Sequence, residues 1–277
     1  MPKKHHPSVM FFYVRSFPAH TFNLLYFHTI ALPQQALLMD YIQHKTILLT
    51  GASKGIGRAT ALALAAHRVK LGLVARSEQD LITLKQEVEA LGSECEIFAG
   101  DVADESTAVK AVAKMQDRFG SIDVLINNAG YGNSKPFEQF SAQEWDDLYA
   151  TNVKGTFLFS KAVTPAMKQQ QSGHILIIAS DVAKRTFATG ALYCSSKFAQ
   201  HAFGDAIRKE LRPHKVKVST VYSGLVDSYF HAEPQGDAAH NWWLKNEDMA
   251  RSIVFIINQP AHVVIDEFMI HPLEQDY

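Results

Sequence analysis

Two side chains that can share a proton lie four residues apart in the second half of the chain. Tyr193 and Lys197 fall within a predicted helix from Ala191 to Leu211. Residues with this spacing lie on one face of a helix, about one turn from each other. An ammonium beside a phenol stabilises the phenolate and lowers the phenol's pKa from about 10. The pair can therefore give a proton to a carbonyl oxygen or take one from an alcohol.

A glycine-rich turn follows the first predicted strand. That strand, Thr46 to Thr50, is a short apolar run, and the glycines after it have the spacing Gly-x-x-x-Gly-x-Gly. Such a turn lets the backbone approach a diphosphate, and the helix after it presents unpaired N–H groups. An ordinary tight turn would also use glycines, but its position at the head of an α/β array favours a dinucleotide site. The residues predicted to contact the cofactor here are Gly51, Ser53, Lys54, Gly55, Ile56 and Gly57.

The end of the second predicted strand distinguishes between two cofactors. A carboxylate there would accept hydrogen bonds from the ribose 2′-hydroxyl of NAD and repel the 2′-phosphate of NADP. The strand instead ends in Arg76, whose guanidinium can bind a phosphate, and Lys54 adds a second cation. The alternative is that Arg76 is a solvated loop residue near Glu78 and Asp80. We predict NADP(H) rather than NAD(H).

These residues lie at the junctions of alternating strands and helices. The predicted strands are 46–50, 71–75, 94–99, 122–126, 174–179 and 216–221, with helices between them. Ser141 to Glu144 has the pattern of a capping box and begins a long predicted helix that ends before Gly173. The alternation requires crossover connections and a parallel sheet with helices on both faces. We therefore expect one α/β domain of residues 43–277, a single doubly wound sheet of the Rossmann type.

The composition excludes several classes of function. Of 277 residues, 27 are Lys or Arg and 28 are Asp or Glu, so the formal net charge of −1 provides no overall basic field for nucleic acid. The two cysteines, Cys95 and Cys194, form no CxxC pair, and the 13 histidines show no metal-ligand spacing. We expect no metal, no disulfide framework and a cytoplasmic location.

Residues 1–42 differ in composition from the rest of the chain. They are rich in aromatic residues and histidine, and Arg15 and Pro18 interrupt the apolar run, so no span of about 20 apolar residues exists to cross a membrane. We expect a poorly ordered extension, or a start of translation at Met39. Two alternatives are a packing arm or membrane-surface segment and a targeting peptide.

Four motifs together resemble the short single-domain branch of the short-chain dehydrogenase/reductase family. They are Thr50–Gly57 (TGASKGIG), Asn127–Gly130 (NNAG), Ser180 and Tyr193–Lys197 (YCSSK), and the resemblance extends from Lys45 to the C-terminus. A YxxxK motif alone is common by chance, but all four in this order and spacing are highly specific. The resemblance implies an NADP(H)-dependent oxidoreductase.

The resemblance implies roles for four catalytic residues. Tyr193 is the acid or base, and Lys197 also binds the nicotinamide ribose. Ser180, 13 residues before the tyrosine, holds the substrate oxygen, and Asn152 supports a water chain to the lysine. For Asp101, a cofactor contact in this family pattern, the alternative is a helix N-cap. The further cofactor contacts that the resemblance implies are Asp101, Val102, Asn128, Ala129, Gly130, Gly224 and Val226.

The segment after the sixth strand departs from the family pattern. Ser223 and Ser228 stand where the family usually has Pro and Thr, and the loss of the proline is expected to loosen the loop that follows. Ser228 to Asn246 is predicted to be a lid with an aromatic wall, although aromatics there are more often packing residues. Lys184 and Arg185 are either solvated or attract an acidic substrate.

Two functions from different classes are consistent with these motifs. The first is an NADP(H)-dependent carbonyl reductase or alcohol dehydrogenase, an enzyme that acts on CH–OH groups and takes a small carbonyl or alcohol substrate. The alternative is a catalytically silent NADP(H)-binding sensor or scaffold. The intact set of Ser180, Tyr193 and Lys197 favours the enzyme, because a sensor has no need for all three. The resemblance also implies a homodimer or homotetramer.

Overall fold

The computed structural model describes residues 40–231 and 235–276, so the predicted extension up to Met39 lies outside the described residues. The strands are β1 (Thr46–Thr50), β2 (Lys70–Ala75), β3 (Glu94–Ala99), β4 (Val124–Asn127), β5 (Gly173–Ile178), β6 (Val216–Ser223), β7 (Val226–Asp227), β8 (Leu244–Lys245) and β9 (Glu267–Ile270). The helices are α1 (Gly55–Ala65), α2 (Glu78–Ala90), α3 (Glu105–Phe119), α4 (Ala142–Tyr149), α5 (Gly155–Gln170), α6 (Ala191–Leu211) and α7 (Asn246–Ile257).

The main sheet is parallel at every pairing. Its strand order is β3-β2-β1-β4-β5-β6-β9, and β7 and β8 form a separate short pair. The order reverses direction between β1 and β4, which is the doubly wound arrangement and places a crevice at the carboxyl ends of these strands. The predicted α/β fold of the Rossmann type is confirmed, and all six predicted strands are present.

The alternation of side chains along β1 separates two hydrophobic cores. Ile47 and Leu49 pack in the core on one face of the sheet, whereas Leu48 packs in the core on the other, and all three are fully buried. Burial on both faces explains why this strand is continuously apolar in sequence. Ile42 belongs to the first core, so the folded chain includes residues that the sequence interpretation assigned to the extension.

The C-terminal region contains a helix and a strand that the sequence interpretation did not predict. Met249 and Ile253 of α7 pack in the same core as Leu64 of α1. The strand β9 pairs in parallel with β6 at the edge of the sheet, where Val221 lies opposite Phe268. The residues of β9 are only partly buried, so this strand lacks the apolar run that identifies the central strands in the sequence.

The long helix predicted from Ser141 is interrupted. Ser141 and Glu144 form the predicted capping box, in which the Glu144 N–H donates to Ser141 Oγ at 3.2 Å. After α4 the chain makes a π turn, Ala150–Lys154, before it continues as α5. The widened turn contains Asn152, and turns of this kind frequently occur at functional sites.

The described residues contain neither a candidate membrane span nor a candidate metal cluster. No helix within residues 40–231 and 235–276 combines the length and the apolar character that a bilayer crossing requires. The same residues contain no group of three or more His, Cys, Asp or Glu side chains arranged to hold a metal ion. Cys95 and Cys194 are both buried free thiols, and burial raises the pKa of Cys95 to about 12.

Replacement of a leucine in the sheet tests the packing of the core. Leu73 is fully buried in β2, so Leu73→Ala removes apolar contacts and leaves a cavity, and we expect the free energy of unfolding to fall by about 2–5 kcal/mol. Leu273→Ala is the matched control because Leu273 is 97% exposed. Urea denaturation followed by circular dichroism measures both variants. Equal losses of the free energy of unfolding in the two variants would contradict the burial of Leu73 in the core.

Candidate active site

The predicted site residues converge at the carboxyl edge of the main sheet. The glycine turn follows β1, Asn128 follows β4, and Ser180 follows β5. The first turns of α6 carry Tyr193 and Lys197 to the same edge, where the ring of Tyr193 packs against Gly132 in the loop after β4. Because the carboxyl ends of parallel strands meet in one crevice, the parallel topology brings together groups that are far apart in sequence.

Asn128, at the end of β4, is hydrogen-bonded to the glycine turn after β1. Its Nδ2 donates to the carbonyl oxygens of Thr50 and Gly51, each at 3.1 Å. Thr50 Oγ1 accepts from the N–H groups of Asn128 and Ala129, also at 3.1 Å each. A Cβ on Gly57 would collide with the Gly51 carbonyl oxygen, so only glycine fits there. The amide of Asn128, predicted to contact the cofactor, is therefore used to shape the turn.

The start of α1 is open to an anion. Its N-cap residue, Lys54, makes no capping hydrogen bond with its side chain, and the first turn contains no acidic residue. Within the described residues no side chain caps the backbone N–H groups at this end of the helix, which is the positive end of the helix dipole. Lys54 is exposed, and its ammonium lies 5.9 Å from the ring centroid of Tyr229.

Arg76 extends from the end of β2 into solvent. Within the described part of the chain it forms no ion pair with Glu78, Asp80 or any other carboxylate, so the guanidinium is available to a phosphate. Arg76 and Asp101 both lie close enough to Tyr131 to act on the pKa of its hydroxyl, which burial raises. The ends of β2 and β3 and the loop after β4 thus border one region.

The two residues after β3 have different environments. Asp101 is exposed, and its Oδ1 accepts from the N–H of Ala103 at 2.8 Å, whereas the N-cap of α3 is Asp104. Asp101 therefore closes the turn before the helix and is not its cap. Val102 is buried and packs against Gly155 at the start of α5.

The loop after β6 is anchored, contrary to the loosening expected from Ser223. The Gly224 N–H donates to the Ile270 carbonyl at 2.8 Å, and the Leu225 N–H donates to Gln275 Oε1 at 2.8 Å. Val226, in β7, is buried in the core. The C-terminal segment thus supplies the restraint that a proline supplies in the family pattern.

Asn152 connects the loop after β4 to α6. The residue is fully buried, and its Nδ2 donates to the Tyr131 carbonyl at 2.9 Å and to Ser196 Oγ at 3.0 Å. Its Oδ1 accepts from the Tyr131 N–H at 3.1 Å. None of these bonds reaches Lys197, although a Cβ built on Gly130 would lie 3.2 Å from Asn152 Oδ1 and 3.6 Å from Lys197 Nζ. Asn152 lies beside the lysine but is engaged by the protein backbone.

Ser180 lies close enough to Tyr193 to act on the pKa of its hydroxyl. Ser180 is buried, and its hydroxyl is within donor distance of Asp181 Oδ1 at 3.0 Å and of the Ser223 carbonyl at 3.3 Å. Ser180 Oγ also accepts from the Val182 N–H at 3.4 Å. Burial raises the pKa of Tyr193, and the hydrogen bond with Ser180 partly opposes this rise. The phenol therefore holds its proton at neutral pH.

Lys197 is enclosed by neutral partners. Its side chain is buried, and Nζ donates to the Ile178 carbonyl at 3.1 Å and to Gln200 Oε1 at 2.8 Å. Burial lowers the pKa of Lys197 to about 7. Nζ lies 5.8 Å from the ring centroid of Tyr193 and donates to these oxygens, and burial raises the tyrosine pKa, contrary to the lowering expected from the sequence. Gln200 was not predicted, although its place one turn after Lys197 put it on the same helix face.

One aromatic residue of the predicted lid packs against the candidate catalytic tyrosine. The rings of Phe230 and Tyr193 have centroids 5.1 Å apart, and Phe230 also packs on Gly132. Trp243 instead stacks on His240 at 3.7 Å, so the lid aromatics divide between the site and local packing. Residues 232–234 of the predicted lid lie outside the described residues.

The two cations considered for an acidic substrate are engaged in ion pairs. Lys184 Nζ lies 2.5 Å from Glu267, on the edge strand β9. Arg185 Nε donates to Asp181 Oδ2 at 3.0 Å. Both side chains therefore neutralise carboxylates of the protein itself.

Comparisons with known proteins agree with this arrangement. A family model described as short chain dehydrogenase matches residues 45–237. An uncharacterized oxidoreductase of Staphylococcus epidermidis is 32% identical over 235 residues, which cover 85% of this chain and 100% of that protein. A sepiapterin reductase of Chlorobaculum tepidum is 31% identical over 237 residues, which cover 83% and 97%. The X-ray structure of an alcohol dehydrogenase from the archaeon Thermococcus sibiricus, complexed with 5-hydroxy-NADP, superposes with a TM-score of 0.80 at 31% identity and covers 84% of this chain and 98% of that one.

Removal of one hydroxyl tests the attachment of the glycine turn. Thr50→Val keeps the shape of the side chain but leaves the N–H groups of Asn128 and Ala129 without their acceptor. We expect the free energy of unfolding to fall by about 1–3 kcal/mol, the cost of buried unsatisfied donors. Thr83→Val, on an exposed face of α2, is the control. A thermal or urea denaturation in which both variants match the wild type would contradict this role of Thr50.

Proposed function

The chain belongs to the short-chain dehydrogenase family, and we propose that it is an NADP(H)-dependent oxidoreductase acting on a carbonyl or alcohol substrate. The observation that carries the proposal is the placement of Ser180 and Tyr193 beside the buried Lys197, whose Nζ lies 5.8 Å from the ring centroid of the tyrosine. The pair lies at the same sheet edge as the glycine turn. Proton transfer and a nucleotide site therefore share one crevice.

The residues at this edge fit a dinucleotide cofactor. The uncapped start of α1 would receive the diphosphate, and Asn128 preforms the glycine turn that lets the backbone approach it. Arg76 and Lys54 would bind the 2′-phosphate, since β2 ends without a carboxylate. The alcohol dehydrogenase from Thermococcus sibiricus, solved with an NADP derivative, supports this choice.

The proton chemistry follows from the protonation states of two side chains. The bound nicotinamide would supply or accept a hydride at the substrate carbon. In the reductive direction Tyr193, which holds its proton because burial raises its pKa, donates that proton to the carbonyl oxygen. Ser180 would orient the same oxygen, and Lys197 would supply its remaining N–H donor for the nicotinamide ribose. In the oxidative direction Tyr193 takes the proton back from the alcohol.

The surroundings of Tyr193 support a small apolar carbonyl or alcohol as substrate. Phe230 and Gly132 border the tyrosine ring. Lys184 and Arg185, the nearest candidates for binding an acidic substrate, are neutralised by Glu267 and Asp181. An uncharged substrate therefore matches this region best.

A homodimer or homotetramer is the assembly that we propose. Large aromatic side chains are exposed on α4, α5 and α6, the helices that lie on one side of the sheet edge. Trp145 is 46% exposed, Phe157 43% and Phe198 39%. Burial of these rings against a second copy would remove apolar surface from water.

Replacement of the tyrosine tests the enzymatic function. Tyr193→Phe removes the proton donor but keeps the ring, so we expect kcat for reduction of aldehydes and ketones to fall by about 10²- to 10⁴-fold. NADPH binding, measured by fluorescence, should change little. Tyr149→Phe is the matched control because the Tyr149 ring only stacks on Trp145 at the surface of α4.

The same assay separates an enzyme from the sensor or scaffold alternative. NADPH oxidation by the wild type on a broad panel of aldehydes and ketones supports the enzyme. Normal NADPH binding by a wild type that turns over nothing on that panel would support the sensor. Equal activity of Tyr193→Phe and wild type would overturn the role of the tyrosine.

Replacement of the arginine tests the choice of cofactor. Arg76→Ala removes a charge-assisted contact to the 2′-phosphate, so we expect kcat/KM for NADPH to fall by about 10- to 100-fold, with little change for NADH. Arg68→Ala is the control, because the exposed Arg68 precedes β2 at the opposite edge of the sheet. Equal efficiency of the wild type with NADPH and NADH would refute the preference.

A further inference from the structure

A chain of buried hydrogen bonds leads away from the candidate catalytic lysine. Lys197 Nζ donates to Gln200 Oε1 at 2.8 Å, Gln200 Nε2 donates to Thr156 Oγ1 at 2.8 Å, and Thr156 Oγ1 donates to the Asn152 carbonyl at 2.8 Å. Gln200 is 1% exposed, Thr156 3% and Lys197 3%. The motifs in the sequence assign no role to Gln200 or Thr156.

The direction of every bond in this chain is fixed by chemistry. A lysine ammonium has only donors, so the carbonyl oxygen of the Gln200 amide must face it. The amide nitrogen then faces Thr156, whose hydroxyl accepts from it and turns its own proton to the Asn152 carbonyl. Each group therefore donates a hydrogen bond to the next group along the chain, in the direction away from the ammonium. The dipoles therefore all place their negative ends toward Lys197, and aligned bonds of this kind strengthen one another.

We propose that Gln200 is a positioning residue for Lys197, which it holds in place and in its charged form through the chain to Thr156 and the π turn. The proposal rests on the proposed function, in which Lys197 acts as a cation. Of the three ammonium protons, one goes to Ile178 and one to Gln200, so one is left for the cofactor side. Loss of the Gln200 oxygen frees the lysine side chain to rotate and removes one of the two oxygens that accept from Nζ.

Among the described residues, no carboxylate accepts a hydrogen bond from Lys197 in addition to the Gln200 amide. The partners of Lys197 on β5 and α6 are the Ile178 carbonyl and the Gln200 amide, and burial alone accounts for the lowered pKa of the lysine. On its own helix the titratable side chain that faces Lys197 is Tyr193, with Nζ 5.8 Å from the ring centroid, and Asp181 and Cys194 act in turn on the pKa of the tyrosine hydroxyl. The segment of α5 packed here contributes the neutral Thr156. The amide is thus the one side-chain acceptor for this ammonium among the described residues.

The charge of Lys197 is measured directly by titration. Protein labelled with ¹³C at the lysine Cε is titrated by NMR without cofactor, and Lys197→Met identifies the signal. Gln200→Leu removes the acceptor, so we expect the pKa of Lys197 to fall by about one to two units. Gln200→Glu places a carboxylate beside the ammonium, so the pKa should rise. These opposite shifts remain informative if one of the two variants does not fold.

The activity of the same variants provides the second measurement. In the proposed function Lys197 acts as a cation, so the alkaline limb of kcat/KM for reduction follows the loss of its charge. That limb should move to lower pH in Gln200→Leu and to higher pH in Gln200→Glu. Thr156→Val should shift the lysine titration in the direction of Gln200→Leu but less far, and Thr156→Ser, which keeps the hydroxyl, should restore the wild-type titration. Gln116→Leu, on an exposed face of α3, controls for the change of residue type.

The outcomes separate this proposal from the proposed function. Wild-type titration of Lys197 and an unmoved pH profile in both folded Gln200 variants would overturn the positioning role while the enzyme assignment stands. A wild type without turnover would overturn the enzyme assignment, and the NMR titration would still decide whether Gln200 controls the charge of the lysine. A fall in stability with no change in the titration would reduce Gln200 to a packing residue and also counts against the proposal.

Discussion

An ammonium buried without a carboxylate partner is the constraint on which this site depends. Removal of a charge from water is costly, and here only neutral oxygens compensate for it. Lys197 consequently has a pKa lowered to about 7, close to the pH at which a cell operates. A full salt bridge would fix the charge but would also compete with any ligand for the remaining N–H group. Neutral acceptors leave the lysine able to titrate near this pH and leave one of its N–H groups available.

The fold supplies these acceptors from separate elements. The Ile178 carbonyl ends β5, and Gln200 lies one turn along α6. Thr156 begins α5, where the π turn directs the Asn152 carbonyl toward its hydroxyl. The bond from Thr156 to the Asn152 carbonyl spans four residues, as does the bond from Thr164 to the Ser160 carbonyl within α5. The chain of hydrogen bonds from Lys197 therefore ends on the backbone of the π turn.

The sequence predicted the parts of this structure that follow short-range rules. Apolar runs identified the central strands, and the YxxxK spacing placed Tyr193 and Lys197 on one helix face. The edge strand β9 was not predicted because it is only partly buried. The π turn was not predicted because nothing in residues 141–172 marks an extra residue in a helical turn. The bond between Gln200 and Thr156 joins residues 44 apart in sequence. Such pairings depend on tertiary packing, which a single sequence does not encode locally.

The C-terminal segment helps to orient the Ser180 hydroxyl through a buried carboxylate. Asp181 is buried beside Ser180 and accepts the hydroxyl proton through Oδ1, while Gln275 Nε2 donates to its Oδ2 at 2.9 Å. Gln275 also receives the Leu225 N–H, so one side chain near the end of the chain ties the loop after β6 to the carboxylate that orients the serine. Arg185 neutralises that carboxylate and makes its burial tolerable. The Ser180 hydroxyl is therefore oriented by a carboxylate, whereas the Lys197 ammonium is bound only by neutral oxygens. This difference suits a hydroxyl that needs a fixed orientation and an ammonium that must remain able to titrate.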